Sequence, residues 1–178
     1  MAQLLQIAQL GQKILRSKAK KVLKISSPAV QNLIDDMLVT LKEAEGVGIA
    51  APQLFSPLQI FILASHPNNR YPNDTKMKPT AVINPIIVST SKKTNKDWEG
   101  CLSIPGIRGL VPRANQIVVE YSDRKGRKCT KKFTNFVARI FQHEYDHLQG
   151  VVFLDRTDPA DLVTEKEYQR LIKANSKP

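Results

Sequence analysis

The stretch Phe141-Gln-His-Glu-Tyr-Asp-His147-Leu-Gln-Gly150 constrains this chain most, because it contains the pattern His-Glu-x-x-His. Residues four apart lie on one face of an α-helix, so His143 and His147 can bind the same divalent metal ion. Glu144 can then reach a water molecule on that ion and act as a general base. The alternative is an ordinary surface helix, so the rest of the chain must supply what a metal-binding helix needs.

Length and composition favour a globular protein. The chain has 178 residues, and we expect residues 1–178 to fold as a single domain. No apolar run approaches the ~20 residues of a membrane span, and the N-terminus does not resemble a secretory signal. Two cysteines do not indicate a disulfide framework. We therefore predict a protein that is not in the membrane and that works in a reducing cytoplasm.

The net charge of +11 indicates an anionic partner or environment, such as nucleic acid, a ribonucleoprotein surface or membrane phosphates. The alternative is a basic protein whose lysines are simply solvated. The basic clusters have no interleaved aromatic residues of the kind that stack on bases, and we expect no specific binding to DNA.

The pattern of apolar and turn residues predicts an α+β fold. Ser27 and Pro28 open a helix that runs to residues 44–46, where Gly46 can adopt a left-handed conformation. Strands are predicted at 58–64 and 81–90 and in a hairpin at 115–133, which contains a structural Cys129. Residues 66–79 form a turn-rich surface loop, and Asp158 caps a last helix over 160–174. We expect mainly antiparallel sheets around the His-Glu-x-x-His helix.

A catalytic site of this kind needs a third protein ligand, and the sequence allows three completions. The metzincin pattern fails because its last histidine position is Phe153. A downstream glutamate, Glu165 or Glu167, would lie in a solvated Lys/Glu-rich run. Cys101 lies in a glycine-flanked segment of low charge, and its thiolate suits borderline and softer divalent metals.

Three stretches together resemble the signature motifs of the peptide deformylase family, in the same order. They are Gly46-Val-Gly-Ile-Ala-Ala-Pro-Gln53, Glu99-Gly-Cys-Leu-Ser103 and Gln142-His-Glu-Tyr-Asp-His147. The resemblance covers residues 9 to 157. It implies an enzyme that removes the formyl group from the N-terminal formylmethionine of new polypeptides, in a bacterial-type cytoplasm or an organelle of bacterial descent.

The resemblance also implies roles for individual residues. Cys101, His143 and His147 would bind one metal ion, most often Fe²⁺ in this family, with Zn²⁺ or Ni²⁺ as substitutes. Glu144 would be the general base and acid on a metal-bound hydroxide, while the Gln53 amide and the Leu102 N–H would bind the oxyanion.

The surroundings of this centre can be predicted in less detail. The methionine side chain would enter an apolar pocket, with the peptide added as a strand along two glycines. Glu99 would pair with Arg113, and Asp146 would either orient a neighbour or be a solvated carboxylate. The candidates for the pocket and the peptide edge are Val47, Gly48, Ile49, Gly100, Phe136 and Ile140.

The expected partners are N-formylmethionyl nascent peptides and, through the basic surface, the ribosome in transient contact. We expect a monomer. The alternatives are a general metallopeptidase and a basic ribosome-binding protein without activity.

Overall fold

The computed structural model describes residues 2–66 and 77–175. Its helices are α1 (Pro28–Glu43), α2 (Asn135–Leu148) and α3 (Glu165–Asn175), and short 3-10 helices lie at Lys13–Arg16, Ala51–Leu54, Phe153–Arg156 and Pro159–Asp161. The strands are β1 (Gly48–Ala50), β2 (Ile60–Leu63), β3 (Thr80–Thr90), β4 (Thr94–Cys101), β5 (Ile104–Ala114), β6 (Gln116–Ser122), β7 (Lys128–Thr134) and β8 (Leu162–Thr164).

The strands form two antiparallel sheets within the described residues. Five strands join in the order β1-β2-β3-β6-β7, and three in the order β4-β5-β8. Strand β3 bulges between Ile83 and Ile86, where Pro85 cannot donate a ladder hydrogen bond. The predicted α+β fold with antiparallel sheets around a central helix is confirmed.

Helix α2 packs its buried face against the five-stranded sheet. Phe141, fully buried, meets Phe61 of β2 edge-on with ring centroids 5.0 Å apart. The helix ends at Leu148, and Gly150 follows at a φ of 74°. A side chain on Gly150 would also lie 2.8 Å from the Arg16 backbone, so glycine there both ends the helix and admits the N-terminal arm.

Helix α1 starts as predicted, because the Ser27 hydroxyl accepts a hydrogen bond from the Val30 N–H. Its apolar stripe packs on the other face of β1 and β2. The predicted C-cap is wrong in detail, since the left-handed residue is Glu45 rather than Gly46. Gly46 is instead tightly packed, because a side chain there would lie 2.6 Å from Leu41.

Residues 2–25 form an arm that lies across both halves of the fold. The Ala8 N–H donates to the Gln53 carbonyl and the Leu10 N–H to the Ser103 carbonyl. Further along, Ala19 donates to the Leu148 carbonyl at the end of α2. The arm therefore contacts the first two stretches on which the resemblance rests, and the residue that directly follows the third.

Two short strands, β1 and β8, were not predicted from the sequence. Residues 48–50 pair with β2 as β1 before the 3-10 turn begins. The last helix does not start at 160: Asp158 caps only a 3-10 turn, residues 162–164 pair with β5, and α3 starts at Glu165. In both cases a three-residue pairing with a distant strand outweighs the local pattern.

The predicted loop 66–79 lies mostly outside the described residues, which omit 67–76. Among the described helices, none has the length and apolar content needed to cross a membrane.

Candidate metal centre and active site

One cysteine and two histidines meet between the end of β4 and helix α2. The Sγ of Cys101 and one ring nitrogen each of His143 and His147 all lie within 4.8 Å of one another. The His147 Nε2 lies 3.3 Å from Sγ. Because α2 presents His143 and His147 on successive turns, a single strand end suffices to complete the cluster.

The two neighbouring rings favour the thiolate form of Cys101. Burial alone would raise the pKa of the Cys101 thiol, but the adjacent His147 and His143 rings hold that pKa well below its ordinary value. The thiolate is the form that binds metals, and a thiolate with two imidazoles leaves a fourth tetrahedral position open. The donor set therefore fits a catalytic divalent ion.

The ring of His143 is held by Glu99. Its Nδ1 lies 2.8 Å from Glu99 Oε2, while Arg113 binds the same carboxylate through both oxygens, at 2.9 and 3.0 Å. Hydrogen bonds from Arg113 leave Glu99 ionised, so His143 Nδ1 is the donor and Nε2 is the ring nitrogen available to a metal.

Asp146 lies on the same buried network and is not a solvated carboxylate. Its Oδ2 accepts a hydrogen bond of 2.5 Å from Arg113, and its Oδ1 accepts one of 2.8 Å from Arg156. The pair of Glu99 and Arg113 that the sequence suggested is present, and Asp146 holds the other side of the same guanidinium.

Glu144 has a different environment from Glu99. It is buried, and its Oε2 has no hydrogen-bond partner among the described residues. Burial raises the pKa of Glu144 to about 7. A side chain on Gly48 would lie 2.5 Å from Glu144 Oε1, so β1 can approach the carboxylate only because residue 48 is a glycine.

The Gln53 amide is fixed at both ends. Its Oε1 accepts from the Ala50 N–H at 2.8 Å, and its Nε2 donates to the Ser103 hydroxyl at 3.1 Å and lies 3.4 Å from Cys101 Sγ. The amide donor therefore points into the cluster. Leu102 lies in the turn between β4 and β5, and its two neighbours, Cys101 and Ser103, contact this donor.

The predicted pocket residues divide between two core clusters. Val47, Phe136 and Ile140 belong to the cluster around α2. Ile49 lies on the opposite face of β1, fully buried against α1, so the structure does not bring its side chain to the other three. Phe153, which breaks the metzincin pattern, stacks against the ring of His143.

Gly100 lies next to a side chain that the sequence did not single out. A side chain on Gly100 would lie 2.2 Å from the Arg108 guanidinium. Arg108 in turn pairs with Glu165 of α3 at 2.6 Å. The backbone of β4 next to Cys101 is therefore packed against the Arg108 guanidinium of β5.

Arg139 and Ser103 were also missed. Arg139 is buried and donates to Glu99 Oε1 at 2.8 Å. Its position four residues before His143 places it on the same helix face, and this spacing was the available signal. For Ser103 the only available signal was its place in the Glu99–Ser103 motif, because no helical spacing relates it to another residue of the site.

Comparisons with known proteins relate this chain to one family of enzymes. A family model described as polypeptide deformylase matches residues 4–162. Over 176 residues the chain is 53% identical to peptide deformylase 2 of Nostoc sp., covering 98% of each protein. It is 44% identical over 174 residues to peptide deformylase 2 of Shewanella oneidensis, covering 98% of this chain and 92% of the relative. A class I type b peptide deformylase from Acinetobacter baumannii, solved with Met-Ala-Ser bound, superposes with a TM-score of 0.85 at 40% identity, covering 88% of this chain and 99% of that one.

Proposed function

The chain belongs to the polypeptide deformylase family, whose enzymes remove formyl groups, and we propose that it hydrolyses the formyl group of N-terminal formylmethionine in newly made polypeptides. The observation that carries the proposal is the convergence of three ligands with two further polar groups. Cys101, His143 and His147 lie within 4.8 Å, with Glu144 and Gln53 beside them.

The proposed ligands of the ion are Cys101 Sγ and the two imidazoles. A divalent ion there would lower the pKa of a water ligand and polarise a carbonyl oxygen. Fe²⁺ is the ion we propose in the cell, with Zn²⁺ or Ni²⁺ as substitutes, since thiolate and imidazole suit all three.

Glu144 is the proposed general base and acid. Its buried carboxylate, with a pKa raised to about 7, can take a proton from the attacking water and later deliver it to the leaving amine nitrogen. Its Oε2 has no hydrogen-bond partner among the described residues that would compete for that proton.

Gln53 and the Leu102 N–H are the proposed donors to the oxyanion. The Gln53 amide is preorganised, because Ala50 holds its oxygen and Ser103 orients its nitrogen. A donor that is already oriented costs no reorganisation during the reaction, and losing one typically lowers kcat by about 10²–10³.

The substrate would add along two strand edges. Gly48 on β1 and Gly100 on β4 are edge positions where a peptide backbone can approach. The pocket for methionine would use Val47, Phe136 and Ile140, leaving out the Ile49 side chain. The Acinetobacter relative carries Met-Ala-Ser, which is what deformylation of formyl-Met-Ala-Ser would leave.

The test is deformylation of formyl-Met-Ala-Ser by protein loaded anaerobically with Fe²⁺ or aerobically with Ni²⁺. We expect turnover by the parent, and a loss of at least about 10²-fold in Glu144→Ala at unchanged metal content. Full activity in Glu144→Ala would contradict the assigned base. Release of amino acids from acetyl-Met-Ala-Ser would instead favour a general peptidase.

We also propose that the basic surface contacts the ribosome, where the substrate emerges. The net charge of +11 and the exposed lysines of β7, Lys128, Lys131 and Lys132, support electrostatic association. Cosedimentation with ribosomes should fall steeply as salt rises from 50 to 300 mM. Binding that is absent at low salt would refute this part of the proposal.

A further inference from the structure

We propose that Arg139 is a positioning residue for the metal ligand His143, acting through the carboxylate of Glu99. The inference rests on the proposed function, because it assumes that His143 binds a metal. It concerns a residue that touches neither the substrate nor the ion.

Arg139 ties helix α2 to two strands of the three-stranded sheet, β4 and β5. Its Nη1 donates to Glu99 Oε1 and to the Val111 carbonyl, both at 2.8 Å, and its Nη2 donates to the Asn95 carbonyl at 2.6 Å. The guanidinium is therefore bonded at once to β4, to β5 and to the carboxylate that holds His143.

The Glu99 carboxylate is saturated with donors only when Arg139 is present. Oε1 accepts from Arg113 Nε and Arg139 Nη1, and Oε2 accepts from Arg113 Nη2 and His143 Nδ1. A bidentate fork fixes the carboxylate relative to Arg113, which belongs to β5. The contact from Arg139 fixes it relative to α2, the helix that carries His143.

Two buried ion pairs made by α2, one through a cation and one through a carboxylate, lie on either side of His143 along the helix. One turn before it, the Arg139 cation holds Glu99; three residues after it, the Asp146 carboxylate holds Arg113. The ring of His143 is thus hydrogen-bonded to the Glu99 carboxylate. Helix α2 fixes that carboxylate directly through Arg139 and, by way of Arg113, through Asp146. Partners of this kind keep a histidine ligand in one tautomer and orientation, and their loss typically costs 10–100-fold in metal affinity.

A purely structural role for Arg139 would be to satisfy the carbonyls of Asn95 and Val111, and the test must separate the two. Arg139→Lys keeps the charge, but a single ammonium cannot span Glu99 and both carbonyls. The matched control is Phe141→Leu, a buried substitution on the same helix that loses packing against Phe61 without touching Glu99.

The measurement is a Co²⁺ titration followed by the thiolate-to-cobalt and ligand-field absorption bands, with unfolding by urea measured on the same samples. We expect Arg139→Lys to raise the Co²⁺ Kd at least about tenfold and to shift the ligand-field bands. Phe141→Leu should lose stability and keep both the affinity and the spectrum. Parent-like affinity and spectrum in Arg139→Lys would overturn the proposal.

If Arg139→Lys does not fold, Arg139→Gln is titrated with Co²⁺ in its place. A second measurement, by NMR, uses the parent protein and needs no variant. In the Zn²⁺-loaded parent labelled with ¹⁵N-histidine, His143 should be protonated at Nδ1, and protonation at Nε2 would overturn the proposal. A parent that binds Co²⁺ but does not deformylate would refute the proposed function alone. A parent that deformylates while Arg139→Lys binds Co²⁺ normally would refute this inference alone.

Discussion

At the residue scale, two buried glutamates near the same helix have opposite electrostatic environments. Burial alone would raise the pKa of Glu99, but His143 and Arg113 hold that pKa well below its usual range. Burial raises the pKa of Glu144 to about 7, because its Oε2 has no comparable partner among the described residues. Glu99 is thereby fixed as an anion that orients the ring of His143, and Glu144 is left able to exchange a proton.

The first prediction concerns the donor of Gln53. Gln53→Glu keeps the oxygen that accepts from Ala50 but removes the Nε2 donor, and it places a carboxylate where negative charge develops. We expect kcat for formyl-Met-Ala-Ser to fall by about 10²-fold or more, with a smaller change in KM. The control, Ser103→Ala, removes the hydroxyl but leaves the amide and should lose far less. An equal loss in both variants would argue against a donor role for Gln53.

The second prediction concerns the approach of β1 to Glu144. In Gly48→Ala the new methyl group would lie 2.5 Å from Glu144 Oε1, so the carboxylate must move. We expect kcat to fall at least tenfold, because a general base acts only within hydrogen-bond reach of its proton. Ala50→Gly, on the same face of β1, is the control and should lower stability with little effect on kcat. Parent-like kcat in Gly48→Ala would show that Glu144 tolerates displacement.

At the element scale, helix α1 is tied to the β6–β7 hairpin by a partly exposed ion pair and by hydrogen bonds between Gln31 and Arg124. Arg124 in the hairpin turn donates to both carboxylate oxygens of Asp35, at 2.6 and 2.9 Å. Hydrogen bonding from Arg124 lowers the pKa of Asp35. Because the folded-state pKa is the lower one, this stabilisation is complete above the unfolded pKa of about 4 and is lost as the pH falls through the folded value.

The third prediction follows from the lowered pKa of Asp35 in the folded protein. Asp35→Asn should lower the free energy of unfolding at pH 7 by a few tenths of a kcal/mol, since both side chains of the pair are partly exposed to solvent. The difference from the parent should shrink as the pH drops below about 4, in urea unfolding of the metal-free protein. Glu43→Gln, an exposed change on the same helix, controls for net charge. A deficit that persists unchanged at pH 3 would mean that shape rather than charge is responsible.

The elements that could be predicted from the sequence are those with a local signal. Helix α1 has a serine cap and an apolar stripe, α2 has the histidine spacing, and β6 and β7 flank a turn. Strands β1 and β8 could not be predicted, because each has only three residues. Their extended conformation comes from pairing with β2 and β5 and not from their own sequence pattern.

The same distinction holds for the candidate site. The motifs predicted which residues are in the cluster, and Cys101, His143 and His147 are brought together. They could not predict that Ile49 faces α1, because a three-residue strand gives no reliable register. Arg139 could be placed on the ligand face by spacing, but its bond to Glu99 depends on how β4 and β5 cross α2.

At the scale of the whole molecule, the candidate site lies where two sheets and one helix meet. β1 belongs to the five-stranded sheet and β4 to the three-stranded one, and α2 carries the histidines between them. The N-terminal arm spans this junction. Ala8 donates to the Gln53 carbonyl at 2.7 Å, and Leu10 donates to the Ser103 carbonyl at 2.9 Å.

The last prediction is that the arm maintains this junction. Removing residues 2–10 should lower both Tm and kcat, because the carbonyls next to the Gln53 donor and the Leu102 turn lose partners from Ala8, Gln9 and Leu10. Leu23→Ala is the control, since that arm side chain is 97% exposed and should change neither quantity. A truncated protein with lower Tm but parent kcat at 20 °C would mean that the arm adds stability alone. A loss of kcat at temperatures well below the Tm of the truncated protein would have a different meaning. The proposed oxyanion donors would then keep their relative positions only while the arm connects the two sheets.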